Sequence, residues 1–184
     1  MAYELRPYQK ECKDILDKTP TGNHLVVMAT GLGKTVVMTH LKRNGRVLLL
    51  SHRDELVRQP EKYFDCSFGI EKAEEHAGDE EVVSASVQSL SRPGRMKRFA
   101  PDAFDTIIID EAHHSAAKSY RAVLDYFSGA KRRIGFRSRP TRPSAGFQRI
   151  AAAGPETGTG FFPGSDGHPP ATCWTADRIP APPN

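Results

Sequence analysis

Cysteine is sparse in this chain: the three residues Cys12, Cys66 and Cys173 are odd in number and far apart, with no Cys-x-x-Cys pair and no histidine at metal-ligand spacing. That excludes a disulfide framework or a zinc site as the organising device and fits a reducing compartment. Long hydrophobic runs are lacking too. No apolar stretch approaches the roughly 18 residues of a membrane span, and the opening "MAYELRPYQKEC" has no apolar core of the signal-peptide kind. A cytoplasmic chain with no membrane contact is the expectation. Tryptophan occurs once, at Trp174, and charge of either sign is only mildly in excess, at a formal net +4. A polyanionic partner suits that balance, as does an ordinary solvated surface.

Lysine is absent from residues 137–184, and this absence marks a boundary. The same 48 residues hold nine of the 14 prolines, six of the 15 glycines and five arginines, whereas the first 136 hold eleven arginines and ten lysines. We divide the chain into a domain over 1–136 and a Pro/Gly-rich tail over 137–184. The tail segment "GPETGTGFFPGSDGHPPATCWTADRIPAPPN" has neither helical nor strand period, and its prolines interrupt either ladder, which predicts an irregular or disordered segment.

What the first part does have is alternation. "HLVVMA" (24–29), "RVLLLS" (46–51), "EVVSAS" (81–86), "FDTIIID" (104–110) and "RRIGF" (132–136) read as short buried strands. Between them "GKTVVMTHLKRN", "RDELVRQPEKYF" and "SYRAVLDYF" carry helical spacing, with Pro60 expected to kink or restart the second. The alternation predicts an α/β fold with a mostly parallel sheet, helices on both faces, and binding loops at the carboxyl ends of the strands.

One such loop stands out. Residues 28 to 35 read Met-Ala-Thr-Gly-Leu-Gly-Lys-Thr between a strand and a helix. Gly31 and Gly33 let the backbone curl with amides inward, making Thr30, Gly31, Leu32, Gly33, Lys34 and Thr35 a cradle for the phosphates of ATP. Lys34 reaches the outer phosphates as a point charge, and the Thr35 hydroxyl ligates Mg2+. The strict pattern asks for glycine at 28, where this chain has Met28; the tight turn sits at Gly31 to Gly33 regardless. An ordinary glycine-rich strand-to-helix turn is the alternative.

A P-loop needs an acidic partner, and "TIIIDEAHHS" supplies two carboxylates after an apolar strand. Buried adjacent acids are costly unless a cation or a reaction employs them. Asp110 is the candidate for holding the metal and Glu111 the candidate general base; two solvated acids before a helix are the alternative.

Asp110-Glu111-Ala112-His113 together with "ATGLGKT" resembles the first RecA-like motor domain of superfamily two helicases of the DEAD/DEAH-box kind, on the branch of restriction-enzyme motor subunits and phage helicases. The resemblance covers residues 3 to about 136. It implies that Gln9, with Arg6, in "LRPYQKEC" contacts adenine, although read alone this is an amphipathic helix start with Pro7 in its first turn. "VLLLSHRDELVRQ" resembles a motif that grips the nucleic-acid backbone; Ser51, with Asp54 three residues on, is placed to cap the helix and leave Arg53 facing a phosphate. "SASVQSL" resembles the next such motif, with Ser86 at the family's threonine position followed by Gln88. His113 is implied to couple the ATP site to a Ser/Thr-Ala-Thr triplet.

At that triplet the chain departs, with Arg137-Ser138-Arg139 and Pro140 still in register. Two cations cannot make the short neutral hydrogen bonds of threonine hydroxyls; pairing with the acidic box is what remains open to them. The resemblance further implies hydrolysis assisted by arginines of a second RecA-like domain, and the tail reads as a truncation or frameshift product, or else as a genuine linker. The resulting expectation is the ATP-binding domain of a nucleic-acid motor, with DNA ahead of RNA as partner and weak hydrolysis in this chain alone. A non-catalytic nucleotide- or nucleic-acid-binding module is the alternative. An unrelated P-loop ATPase fits less well.

Overall fold

A computed structural model describes residues 4–52, 54–115, 117–138, 148–150 and 172–176. The chain opens with helix α1 (Pro7–Asp17), then runs β1 (Gly22–Val27), α2 (Lys34–His40), β2 (Val47–Ser51), α3 (Asp54–Arg58), β3 (Phe68–Glu71) and β4 (Val82–Ser86). It continues through α4 (Val87–Leu90), α5 (Pro93–Met96), β5 (Thr106–Ile109), α6 (Lys118–Tyr126), β6 (Arg132–Arg137), β7 (Gln148–Ile150) and β8 (Thr172–Ala176). Helix α1 starts at Pro7, whose fixed φ and missing N–H cost nothing in the first turn. Pro60 ends the stretch after α3 and caps a short 3-10 turn at Glu61–Tyr63, the restart read from the sequence.

The strands lie in the order β3-β4-β2-β5-β6-β1-β8-β7. The first six are mutually parallel. All five strands expected from the apolar runs form, with ends shifted by one or two residues. Strand β3 is an addition: "FGIE" is too short and mixed to stand out by pattern, and it is recruited by pairing with β4. Its last residue, Glu71, is fully buried and held by the Arg95 guanidinium at 2.5 Å and the Ala77 amide at 3.0 Å. Burying this carboxylate is tolerable because it is paired and hydrogen-bonded.

Two stretches of the tail depart from the irregular structure expected there. Residues 172–176 pair antiparallel with β1, and 148–150 pair with them in turn. The β1 edge, rich in unpaired backbone groups, recruits them despite the surrounding prolines. Of the rest of the tail, Arg137, which ends β6, and Ser138 are described, and the remainder lies outside the described residues.

Alternate residues of each strand feed two separate cores, as a period of two requires. Leu25, Val27, Leu48, Leu50, Ile107 and Ile109 pack on one face with Val87, Leu90, Tyr120, Val123 and Phe127. Val26, Val47, Leu49, Ile108, Ile134 and Phe136 pack on the other with Leu16, Val37 and Met38. Helices α4 and α6 thus cover one face, and α1 and α2 the other. Among the described residues no helix is long and apolar enough to cross a membrane.

Candidate nucleotide site at the carboxyl rim

Every sequence-predicted site residue that the structure describes, apart from Arg6 and Gln9, lies at or just beyond the carboxyl end of a parallel strand. β1 leads into the loop 28–33. Met28 is fully buried in the core with α1 and α2, and its amide donates to the Arg137 carbonyl at 3.0 Å. It therefore extends the strand, which is why this position need not be glycine. Gly31 and Gly33 have φ of 85° and 79°, the left-handed region that side chains avoid. Thr30 and Gly31 are exposed at the crest, and Leu32 to Thr35 are half-buried below it.

Helix α1 holds this loop from the side. The Gln9 side-chain amide donates to the Leu32 carbonyl at 2.9 Å, and the Tyr8 hydroxyl does so at 3.2 Å. The other end of the Gln9 amide accepts from the Arg6 backbone N–H at 2.9 Å. Gln9 is only 1% exposed, whereas Arg6 is exposed. A Cβ at Gly33 would come within 2.5 Å of Gln9 Nε2; Gly33 is thus needed twice, for its dihedral and for its lack of a side chain.

Lys34 opens α2, and its Nζ donates to Ser138 Oγ at 3.0 Å. Ser138 Oγ donates in turn to Glu111 Oε1 at 3.2 Å. The Asp110 amide continues the pairing of β5 with β2 by donating to the Leu50 carbonyl at 2.9 Å, and Asp110 Oδ1 accepts from the Glu111 amide at 3.0 Å. Thr35 and Asp110 line one pocket with Ser51 and Ser84 over an apolar floor of Met38, Leu49 and Ile108. Glu111 itself is left-handed, at φ 53° and ψ 51°, and starts the 3-10 turn Ala112–His114. Gly135 in β6 lets this turn pack down, since a Cβ there would meet Ala112 Cβ at 2.7 Å. His113 Nδ1 lies 3.2 Å from Glu111 Oε2.

Ser138 is the residue sequence reasoning missed. Arginines stand at the outer positions of the triplet, while the hydroxyl between them is what links Lys34 to Glu111. Arg137 is the last residue of β6 and only 9% exposed, and burial pulls its guanidinium pKa below the ordinary value. Arg139 and Pro140 lie outside the described residues. Burial likewise pushes the Tyr120 phenol pKa far upward, with the charges of Asp110 and Glu111 adding to the effect.

The segments assigned to nucleic acid gather at the neighbouring strand ends. Ser51 and Ser86 close β2 and β4 and are buried, at 5% and 1% exposure. Helix α3 begins at Asp54, so Ser51 stands ahead of the capping position; Arg53 lies outside the described residues. The Ser86 hydroxyl donates to Gln88 Oε1 at 2.8 Å, and Gln88 Nε2 donates to the His52 carbonyl at 2.8 Å. Of these residues Gln88 and His52 are exposed.

Comparisons with known proteins speak to the family and the fold. The family model for the type III restriction enzyme res subunit, ResIII, matches residues 2–142. The chain is 36% identical over 148 residues to IRC3 of Saccharomyces cerevisiae, a protein named as an ATP-dependent helicase, covering 68% of this chain and 21% of that protein. It is 35% identical over 134 residues to the type I restriction enzyme EcoAI endonuclease subunit of Escherichia coli, covering 63% of this chain and 16% of that one. The chain thus spans about a fifth of the length of these relatives. Among solved structures, the helicase domain of Pyrococcus furiosus Hef superposes with a TM-score of 0.61 at 22% identity, over 76% of this chain and 33% of that chain. The UvsW helicase of bacteriophage T4 superposes at 0.57 and 18% identity, over 74% of this chain and 53% of that chain. At such identities the structural likeness speaks for the fold. The chain belongs to the ResIII family, and its six-stranded parallel sheet is that of a helicase RecA-like domain.

Proposed function

We propose that the chain is the ATP-binding domain of a DEAH-type nucleic-acid motor, binding ATP with Mg2+ between the loop 28–35 and the acids that follow β5. The observation that carries this reading is the convergence of three strand ends, those of β1, β5 and β6: Lys34, Ser138 and Glu111 are joined by hydrogen bonds, while Thr35 and Asp110 face one pocket. One hydroxyl and one carboxylate suit Mg2+, a hard cation that keeps several waters and takes few protein ligands. Thr35 and Asp110 would hold the ion, which when bound would neutralise charge on the phosphates. The amides of the loop bind the phosphates and Lys34 adds a point charge. Glu111 accepts the proton of the attacking water, its carboxylate oriented by Ser138 on one oxygen and His113 on the other. Because Ser138 supplies a neutral hydroxyl contact to the acid, the arginine replacements do not remove the link between β6 and Glu111.

Gln9 serves this reading as a clamp on the loop, and Gln88 and His52 as the exposed face for nucleic acid, with DNA ahead of RNA. Hydrolysis by the chain alone is slow in this reading, since arginines donated across a domain cleft are worth about 10³–10⁵ in rate. The test is the ATPase rate with and without single-stranded or duplex nucleic acid, in parallel with Glu111→Gln, and titration of a fluorescent ATP analogue into Lys34→Ala. Stimulated turnover lost in Glu111→Gln, and binding lost in Lys34→Ala, are the expected results. Unchanged affinity in Lys34→Ala would overturn the site. Binding without turnover would assign a non-catalytic module instead, the reading favoured by Arg137 and Arg139 standing where the family carries hydroxyl residues.

A further inference from the structure

Along the carboxyl rim, side-chain contacts step from strand to strand in the order in which the strands lie, β4-β2-β5-β6. Gln88, just after β4, holds His52 twice: its Nε2 donates to the His52 carbonyl at 2.8 Å and lies 3.2 Å from the ring Nδ1. The His52 ring, just after β2, stacks on that of His114 in the turn after β5, with centroids 4.8 Å apart and planes at 24°. His114 meets His113 at 4.1 Å, His113 lies 3.2 Å from Glu111, and Glu111 accepts from Ser138 beyond β6. The stack spacing matches the lateral separation of neighbouring strands, about 4.7–4.9 Å. The two rings therefore continue the β2–β5 ladder where its backbone pairing, Leu50 with Ile109, runs out.

Next to the far end of this line, among the described residues of the site, lies a strained position. Glu111 holds a left-handed backbone, a conformation that a non-glycine residue keeps only where its surroundings fix it. Those surroundings include the turn that carries His113 and His114. A ligand pressing on Gln88 and His52 thus acts on the element that sets the Glu111 carboxylate.

We propose that His52 and His114 are positioning residues that couple occupancy of the rim at Gln88 to the placement of Glu111, through the stack of their rings. This rests on the nucleotide and nucleic-acid reading above. Coupling of this kind is a free energy shared reciprocally by two sites. It is read by titrating a fluorescent ATP analogue with Mg2+ into the full chain, with and without a saturating single-stranded DNA oligonucleotide. In the unaltered protein the DNA shifts the nucleotide affinity by at least about fivefold. In His52→Ala and in His114→Ala, each measured at DNA concentrations that saturate that variant, the shift falls below about twofold, and in His114→Ala each ligand alone binds as before. The double variant loses no more than either single one, as expected for residues acting as a unit, and His114→Phe, which keeps a stacking ring, keeps most of the shift. Variants that retain the full shift, or losses that add in the double variant, overturn the proposal. If each ligand binds alone with no mutual effect in the unaltered protein, the relay falls and the function proposed above stands. If the ATP analogue does not bind at all, both fall.

Discussion

Gly31 and Gly33 look equivalent in the sequence, yet they sit in different surroundings. A Cβ at Gly31 meets nothing within 4 Å, whereas one at Gly33 meets the buried Gln9 amide. Both replacements by alanine carry a left-handed cost of about 1–2 kcal/mol, but only Gly33→Ala must also displace Gln9 from Leu32 and Arg6. Gly33→Ala is expected to lower the melting temperature and nucleotide affinity clearly more than Gly31→Ala; equal losses would remove the clamp assigned to Gln9. His24 gives a second test. It is 4% exposed with Nε2 on the Thr21 carbonyl at 2.9 Å, and burial, aided by the Arg132 charge, lowers its pKa. The unfolded chain then takes up a proton that the folded one refuses. Stability is full above the unfolded imidazole value of about 6.5 and declines as pH falls through it. Melting temperature should drop more steeply between about pH 7.5 and about 5.5 in the parent chain than in His24→Gln, and parallel slopes would contradict this. Lys34, Thr35, Asp110 and Glu111 were legible because glycines and adjacent acids are rare at strand ends without a reason. Ser138 and the clamp by Gln9 were not, because both depend on contacts between residues 104 and 23 positions apart.

Strands proved the most legible elements, since β2, β4 and β5 are buried along their whole length and so are written mostly in apolar and small residues. β3 was hidden because its pairing with β4, rather than its own pattern, makes it a strand. The strands of the tail were hidden for the same reason, and they matter for β1. With β8 in place β1 is an interior strand, flanked by β6 and β8. A chain ending at Ser138 would leave its second edge open, a surface prone to pairing with other copies. Amide hydrogen exchange of β1 should therefore accelerate, and size-exclusion chromatography should show association, on removal of residues 139–184. Unchanged exchange and a monomeric profile would mean that β8 does not protect this edge.

Two cores on the two faces of one sheet make the domain a three-layer body whose loops meet at one rim. A ligand held by several strand ends should stabilise the whole. At a concentration about 100 times its dissociation constant, a ligand adds about 2.7 kcal/mol, which for a chain of this length raises the melting temperature by about 5–10 °C. ATP with Mg2+ should produce such a rise in the parent chain and little in Lys34→Ala, as read by differential scanning fluorimetry; equal rises would place the nucleotide elsewhere. The division of labour between neighbouring strand residues has a last consequence. Leu48 and Leu50 serve one layer while Val47 and Leu49 serve the other, so sliding β2 by a single position would send each methyl group to the wrong side and drag His52 about 3.3 Å along the strand axis. The sorting of greasy side chains deep inside the molecule is thus what holds the rim residues in alignment, and conservative swaps there should weaken binding of the ATP analogue before they melt the fold.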